Sequence, residues 1–127
     1  LSGLVLSFAV PGFRHGMDAL AVRAATEVVL ADAARVRSLA SARGGAELIV
    51  DETGVLEIVA DSTTVRRTAL GERFGVSLDI QNSSRTRTVI RYDQLGVGRL
   101  AGVTVKLRRG RVEGGISFSA YGRPRTW

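Results

Sequence analysis

The stretch Ala19-Leu20-Ala21-Val22-Arg23-Ala24-Ala25-Thr26-Glu27-Val28-Val29-Leu30-Ala31-Asp32-Ala33-Ala34-Arg35-Val36-Arg37-Ser38-Leu39-Ala40 contains neither Gly nor Pro. It is dense in Ala, Leu and Arg, which lose little on entering a helix. Met17, Ala21, Ala24, Ala25, Val28, Val29, Val36, Leu39 and Ala40 fall on one broad arc at the helical step of about 100° per residue. Gly44-Gly45 supplies the stop. The pattern predicts one long helix ending at Arg43.

Ahead of that helix, Leu1 to Val10 is almost wholly apolar. A helix through residues 1–43 would be roughly 65 Å long at 1.5 Å per residue. A compact chain of 127 residues has a radius of gyration near ~14 Å. One end of the helix must therefore protrude, and the apolar end is the one left over. Leu4, Val5, Leu6, Phe8, Val10 and Phe13 need cover from lipid or from another apolar surface. The apolar run is too short to cross a bilayer, which takes about 20 residues. It also lacks the basic leading region of a signal peptide, and reads as the second half of a membrane segment that begins further upstream. Pro11, with Gly12 and Gly16, is expected to put a bend between stem and helix. His15 is expected at the surface near that bend.

Downstream the periodicity switches to two. Ala46–Val50 and Val55–Val59 flank Asp51-Glu52-Thr53-Gly54, a hairpin signal. Thr63–Leu70 reads as an edge strand or loop with Arg66 and Arg67 exposed. Val76–Ile80 and Thr88–Tyr92 are strands separated by the polar Gln81–Ser84. Asp93–Gly98 is a glycine-bearing turn. Gly102–Arg108 alternates, with Val103, Val105 and Leu107 inward. Gly115–Ala120 closes the sheet. One helix followed by antiparallel strands is an α+β fold, with the helix packed across the sheet. The expected organisation is a residual stem at 1–12 and a body at 13–127. The body comprises a helix at 13–43, a sheet at 46–120 and a basic tail at 121–127. Asp32 and Arg35 are expected to form a partly exposed i,i+3 pair worth a few tenths of a kcal/mol, rather than a buried pair placed for assembly.

Composition narrows the chemistry. The chain has no Cys and one His, so a thiolate mechanism is excluded and a zinc site nearly so. There is no Ser/His/Asp set, no nucleotide loop and no usefully spaced carboxylate pair. Gly96-Val97-Gly98 lacks the following helix that a dinucleotide site needs. The expectation is a protein that is not an enzyme, with no cofactor and no small-molecule substrate. Charge is uneven. Residues 1–84 hold 8 Lys/Arg against 10 Asp/Glu, whereas residues 85–127 hold 10 against 2. A basic last third points to an anionic partner such as nucleic acid or lipid headgroups. A genome that writes Arg for Lys would explain the residue choice, though not its concentration at one end.

The order of these features is that of a known family. An apolar stem, a proline, a long Ala-rich helix with Ala34-Arg35-Val36-Arg37-Ser38-Leu39-Ala40, and then a meander of strands resembles the type IV pilin-like proteins. Within them the chain resembles the GspH/FimT family, the minor pseudopilins of type II secretion and their type IV pilus relatives. Val89–Gly96 running into Gly102–Val105, and the closing Ile116–Arg125, carry the rest of the likeness. The resemblance implies a filament subunit held in the bacterial inner membrane by a single pass, with its body in the periplasm and other pilin or pseudopilin subunits as partners. It also implies a mature N-terminus upstream of Leu1. In family members that act in DNA uptake, a C-terminal Gly-Arg-x-Arg contacts DNA; here it reads Gly122-Arg123-Pro124-Arg125. Arg123 and Arg125 would then join Arg108, Arg109 and Arg111 on one face, and Trp127 would stack on a base of a single-stranded target. The alternative is that this segment ends the last strand, with Trp127 packed back on the sheet.

Overall fold

The computed structural model describes the backbone of residues 2–81, 87–99 and 102–127, and the side chains of 12–81, 87–98 and 102–127. Helix α1 spans Ser2–Arg43 as one element and continues through Pro11, where a bend was expected. Gly44 and Gly45, both at positive φ, turn the chain into the first strand. The side of α1 that enters the core is narrower than the arc read from sequence. It consists of Val22, Ala25, Val29, Ala33, Val36 and Ala40, spaced three and four residues apart. Three of the six are alanines, which let the helix backbone approach the strands closely.

Among the described residues, nine strands make two antiparallel sheets rather than the single sheet expected. The first has the order β3 (Thr63–Ala69), β2 (Val55–Ala60), β1 (Gly45–Asp51), β5 (Arg87–Asp93), β6 (Gly98–Arg99). The second has the order β4 (Ser77–Gln81), β7 (Val103–Arg109), β8 (Val112–Phe118), β9 (Pro124–Thr126). A short helix α2, Leu70–Phe74, links β3 to β4 and was not foreseen. Helix α1 packs on both sheets, chiefly on β1, β7 and β8. Leu48, Val50, Leu56, Ile90, Val105, Leu107 and Ile116 meet its buried stripe in one core.

The β1–β2 hairpin forms where its turn residues placed it. Gly54, at φ +90, donates its N–H to the Asp51 carbonyl, and the Asp51 carboxylate accepts from the Val55 N–H. Thr63–Ala69 is an edge strand, as one of its two readings had it. Strand β8 begins at Val112, three residues before the expected start. The segment expected as a basic tail folds back as β9, with Phe118 opposite Pro124, Ser117 opposite Arg125 and Ile116 opposite Thr126. Proline is tolerated there because β9 lies at a sheet edge.

Asp32 departs from expectation. It is 1% exposed, not partly exposed. Its Oδ1 accepts a hydrogen bond from Arg35 Nη1 at 3.1 Å, and Oδ2 lies 3.4 Å from the donating Thr68 hydroxyl. Arg66 Nε sits 3.1 Å from Oδ1 as an ion pair, although its N–H is not aligned for a hydrogen bond. Arg66 and Thr68 thus bring β3 onto the same carboxylate that Arg35 holds from within the helix. A buried carboxylate stripped of such partners is costly, whereas the two guanidiniums remain half in water and lose less when separated from it. Replacing Asp32 with Ala should therefore destabilise the fold by about 1–3 kcal/mol. Arg35→Ala should cost under ~1 kcal/mol, because Arg66 and Thr68 still hold the acid. Chemical denaturation of both variants checks the order.

Candidate functional site

Two surfaces stand out once the core is assigned. The first is the part of α1 ahead of the sheets. The buried stripe starts at Val22, and Asp18 makes the first ion pair to the body, its Oδ1 lying 2.9 Å from Arg109 Nε. Before that point Phe13, Met17 and Leu20 are 68%, 45% and 69% exposed. Their spacing of four and three residues puts them on one side of the helix. Gly12 and Gly16 flank them, and a Cβ added at either would meet nothing within 4 Å. The result is a shallow apolar concavity lined by Gly12, Phe13, Gly16, Met17 and Leu20. Of the six stem residues proposed from sequence, Phe13 is on this stripe. The side chains of Leu4, Val5, Leu6, Phe8 and Val10 lie outside the described residues. His15 is exposed on the opposite side of the helix from the stripe.

The second surface is the solvent side of β4, β7, β8 and β9. Alternation in β7 sends Val103, Val105 and Leu107 to the core and Thr104, Lys106 and Arg108 outward. Cross-strand register then builds rows. Asp79, Lys106 and Gly115 form one row, and Gln81, Thr104, Ser117 and Arg125 the next. Arg108 stands opposite Glu113. Arg111 is exposed in the β7–β8 turn, and Arg123 is exposed just before β9.

The five arginines do not share this face. Arg109 points the other way, its Nε on Asp18 and its Nη1 donating to the Phe74 carbonyl at 2.9 Å. Its role is to tie α1 and α2 to β7. The period-two pattern distinguishes it from Arg108, since 109 continues the inward series 103, 105, 107.

Glycines, which the sequence reading treated only as turn markers, position the C-terminal segment. Gly114 faces the helix, where a Cβ would stand 3.0 Å from Val22 Cγ1. Gly115 faces outward, and a Cβ there would fall 2.2 Å from the Trp127 ring. The indole thus lies against the bare backbone of β8, with the Trp127 N–H donating to the Gly115 carbonyl at 3.2 Å. Trp127 is packed back on the sheet yet stays 60% exposed. Gly122, at φ +79, sits under the Tyr92 ring and against Gly98. The Tyr92 hydroxyl donates to the Gly122 carbonyl at 2.8 Å, and the Gly98 N–H to the Tyr121 carbonyl at 2.7 Å. These contacts fasten the β8–β9 turn, and with it Arg123 and Arg125, to the first sheet.

Compared with family models, curated proteins and solved structures, the chain matches none. What the coordinates define is a class: an α+β body carried on one long N-terminal helix packed against antiparallel sheets.

Burial pushes the Tyr92 phenol up to about 12, against a smaller opposing effect of the Arg37 guanidinium. The folded state thus holds this proton more tightly than the unfolded chain, which releases it near pH ~10. The contribution is complete below about pH 10 and is lost as pH rises through 12. Tyr92→Phe should start less stable by about 0.5–1.5 kcal/mol for the missing hydrogen bond. It should then lose less stability than the parent between pH 10 and 12. Thermal unfolding of both proteins across that window measures the difference.

Proposed function

We propose that the chain is a minor subunit of a bacterial filament, a pseudopilus of type II secretion or a type IV pilus, with a structural role in assembly. Its stem anchors in the inner membrane as a single pass and then packs against the stems of neighbouring subunits, while the body stands in the periplasm. The observation that carries this reading is the apolar stripe Phe13, Met17, Leu20 on the same uninterrupted helix whose next turns form the core. Helix α1 is about 63 Å long at 1.5 Å per residue, but its buried stripe from Val22 to Ala40 covers only about 27 Å. Burying a Leu, Met or Phe side chain is worth about 1.5–3 kcal/mol, so three in register give a subunit interface real strength. Among the described residues no helix is long and apolar enough to cross a membrane. The resemblance to the GspH/FimT family supports the same assignment.

The test is site-specific cross-linking in the membranes of the producing bacterium. A photo-activated residue at Phe13 or Leu20 is expected to give adducts with the apolar helix of another filament subunit, and the same residue at the exposed Glu72 none. Identical adduct patterns at all three positions would refute the assignment.

A second reading, a DNA-binding minor pilin of a DNA-uptake pilus, is favoured by the outward placement of Lys106, Arg108, Arg123 and Arg125, against which, among the described residues, stand Asp79 and Glu113. Such a face would bind through phosphates, with little regard for sequence and steep sensitivity to salt. In gel shifts with unrelated duplexes, Arg123→Ala with Arg125→Ala should weaken binding uniformly and lower the salt slope by about 2.

A further inference from the structure

We propose that the outer face of β7, β8 and β9 around Trp127 is a stacking platform for unpaired nucleobases, so that its preferred ligand is single-stranded nucleic acid. The proposal rests on the nucleic-acid reading above and narrows it to one class of ligand.

Three observations converge on the indole. Its underside is filled by Gly115, since no side chain separates the ring from the β8 backbone. Trp127 nonetheless stays 60% exposed, while its backbone N–H is held by the Gly115 carbonyl. Cations stand near it at the spacing of the sheet, on a face that also carries Asp79 and Glu113. Lys106 is directly across from Gly115, one strand away or about 4.8 Å. Arg125 lies two residues before Trp127 along β9, about 7 Å on the same side. Arg108 lies the same distance from Lys106 along β7, in the opposite direction. An aromatic plane bracketed by backbone-neutralising cations is how single strands are held without reading their sequence. A duplex hides its base faces, so it could use the cations of this surface but not the ring.

Both halves of the device depend on residues that have no other task at this place. Gly115 needs no special φ, since its backbone is ordinary strand, and a Cβ is excluded only by the indole. Thr104 and Ser117, hydrogen-bonded to each other through their hydroxyls at 3.1 Å, put two short polar side chains between Gln81 and Arg125 in the row beside the ring.

Trp127 is the only Trp in the chain, so its emission reports this ring alone. The experiment titrates the whole chain, in mild detergent, with an oligo-dT strand, a duplex of equal length, and heparin as a polyanion without bases. Emission is followed directly, and affinities come from the anisotropy of labelled ligands. Oligo-dT is expected to quench the indole and to bind more tightly than the duplex or heparin, neither of which quenches. Trp127→Ala should weaken oligo-dT binding about 5- to 100-fold, the equivalent of one base stack, and leave duplex binding unchanged. Trp127→Phe should restore part of the loss. Gly115→Ala, which keeps every charge but dislodges the ring, should reproduce it.

If oligo-dT binds without quenching, or Trp127→Ala weakens duplex and single strand alike, the stacking platform is wrong while the nucleic-acid reading stands. If neither DNA binds at low salt, both are wrong. Heparin binding more tightly than oligo-dT would overturn the proposal in favour of an acidic polysaccharide.

Discussion

The narrow edge of α1 from Val22 to Ala40 is the surface on which both sheets are laid. Each sheet alone is a half-covered layer with an apolar inner face, and the helix completes the core for both. Ala25, Ala33 and Ala40 make this possible by bringing strand and helix backbones close, and Gly114 extends the same economy to β8 opposite Val22. Interiors pack at crystal-like density, so small residues at the seam fix the distance between layers. They do not fix registration along the seam. The Asp32 cluster and the Asp18–Arg109 pair supply that, because a carboxylate on the helix has one place where its partners stand.

The two candidate surfaces follow from how this helix is used. Its core-facing stripe starts at Val22, and at about 100° per residue Phe13, Met17 and Leu20 fall on the side of the helix turned away from that stripe. Phe13, Met17 and Leu20 are left outside by geometry rather than by poor packing. At the other end of the chain, charge accumulates on a sheet face that the core does not need. The inward series Val103, Val105, Leu107 and Ile116 is apolar, and the alternate positions are free to carry Lys106, Arg108 and Arg125.

Much of the fold was legible because its signals are local. The helix of 13–43, its glycine stop, the hairpin at 51–54 and the inward series of β7 all come from periodicities or turn chemistry within a dozen residues. What escaped was decided at longer range. That the strands divide into two sheets depends on pairings such as β1 with β5, which no stretch of sequence encodes by itself. Strand β9 has three residues and a proline, too little for a period to register. The burial of Asp32 depends on Arg66 and Thr68, more than thirty residues away, and its neighbour Arg35 alone suggested an ordinary surface pair. At the candidate basic face, the alternation of β7 carried the sidedness of Arg108 and Arg109, whereas the placement of Arg125 beside them depended on the β8–β9 pairing. The apolar stem beyond Phe13 lies outside the described side chains.

Gly114 and Gly115 stand back to back, one admitting the helix and the other admitting the indole. At that point the second sheet is a single peptide thick, a window between its two sides. Any tilt of the helix that displaces Val22 presses on the same pair of residues that seats the ring. The lone tryptophan is thus seated on the reverse of the wall that the helix packs against at Val22.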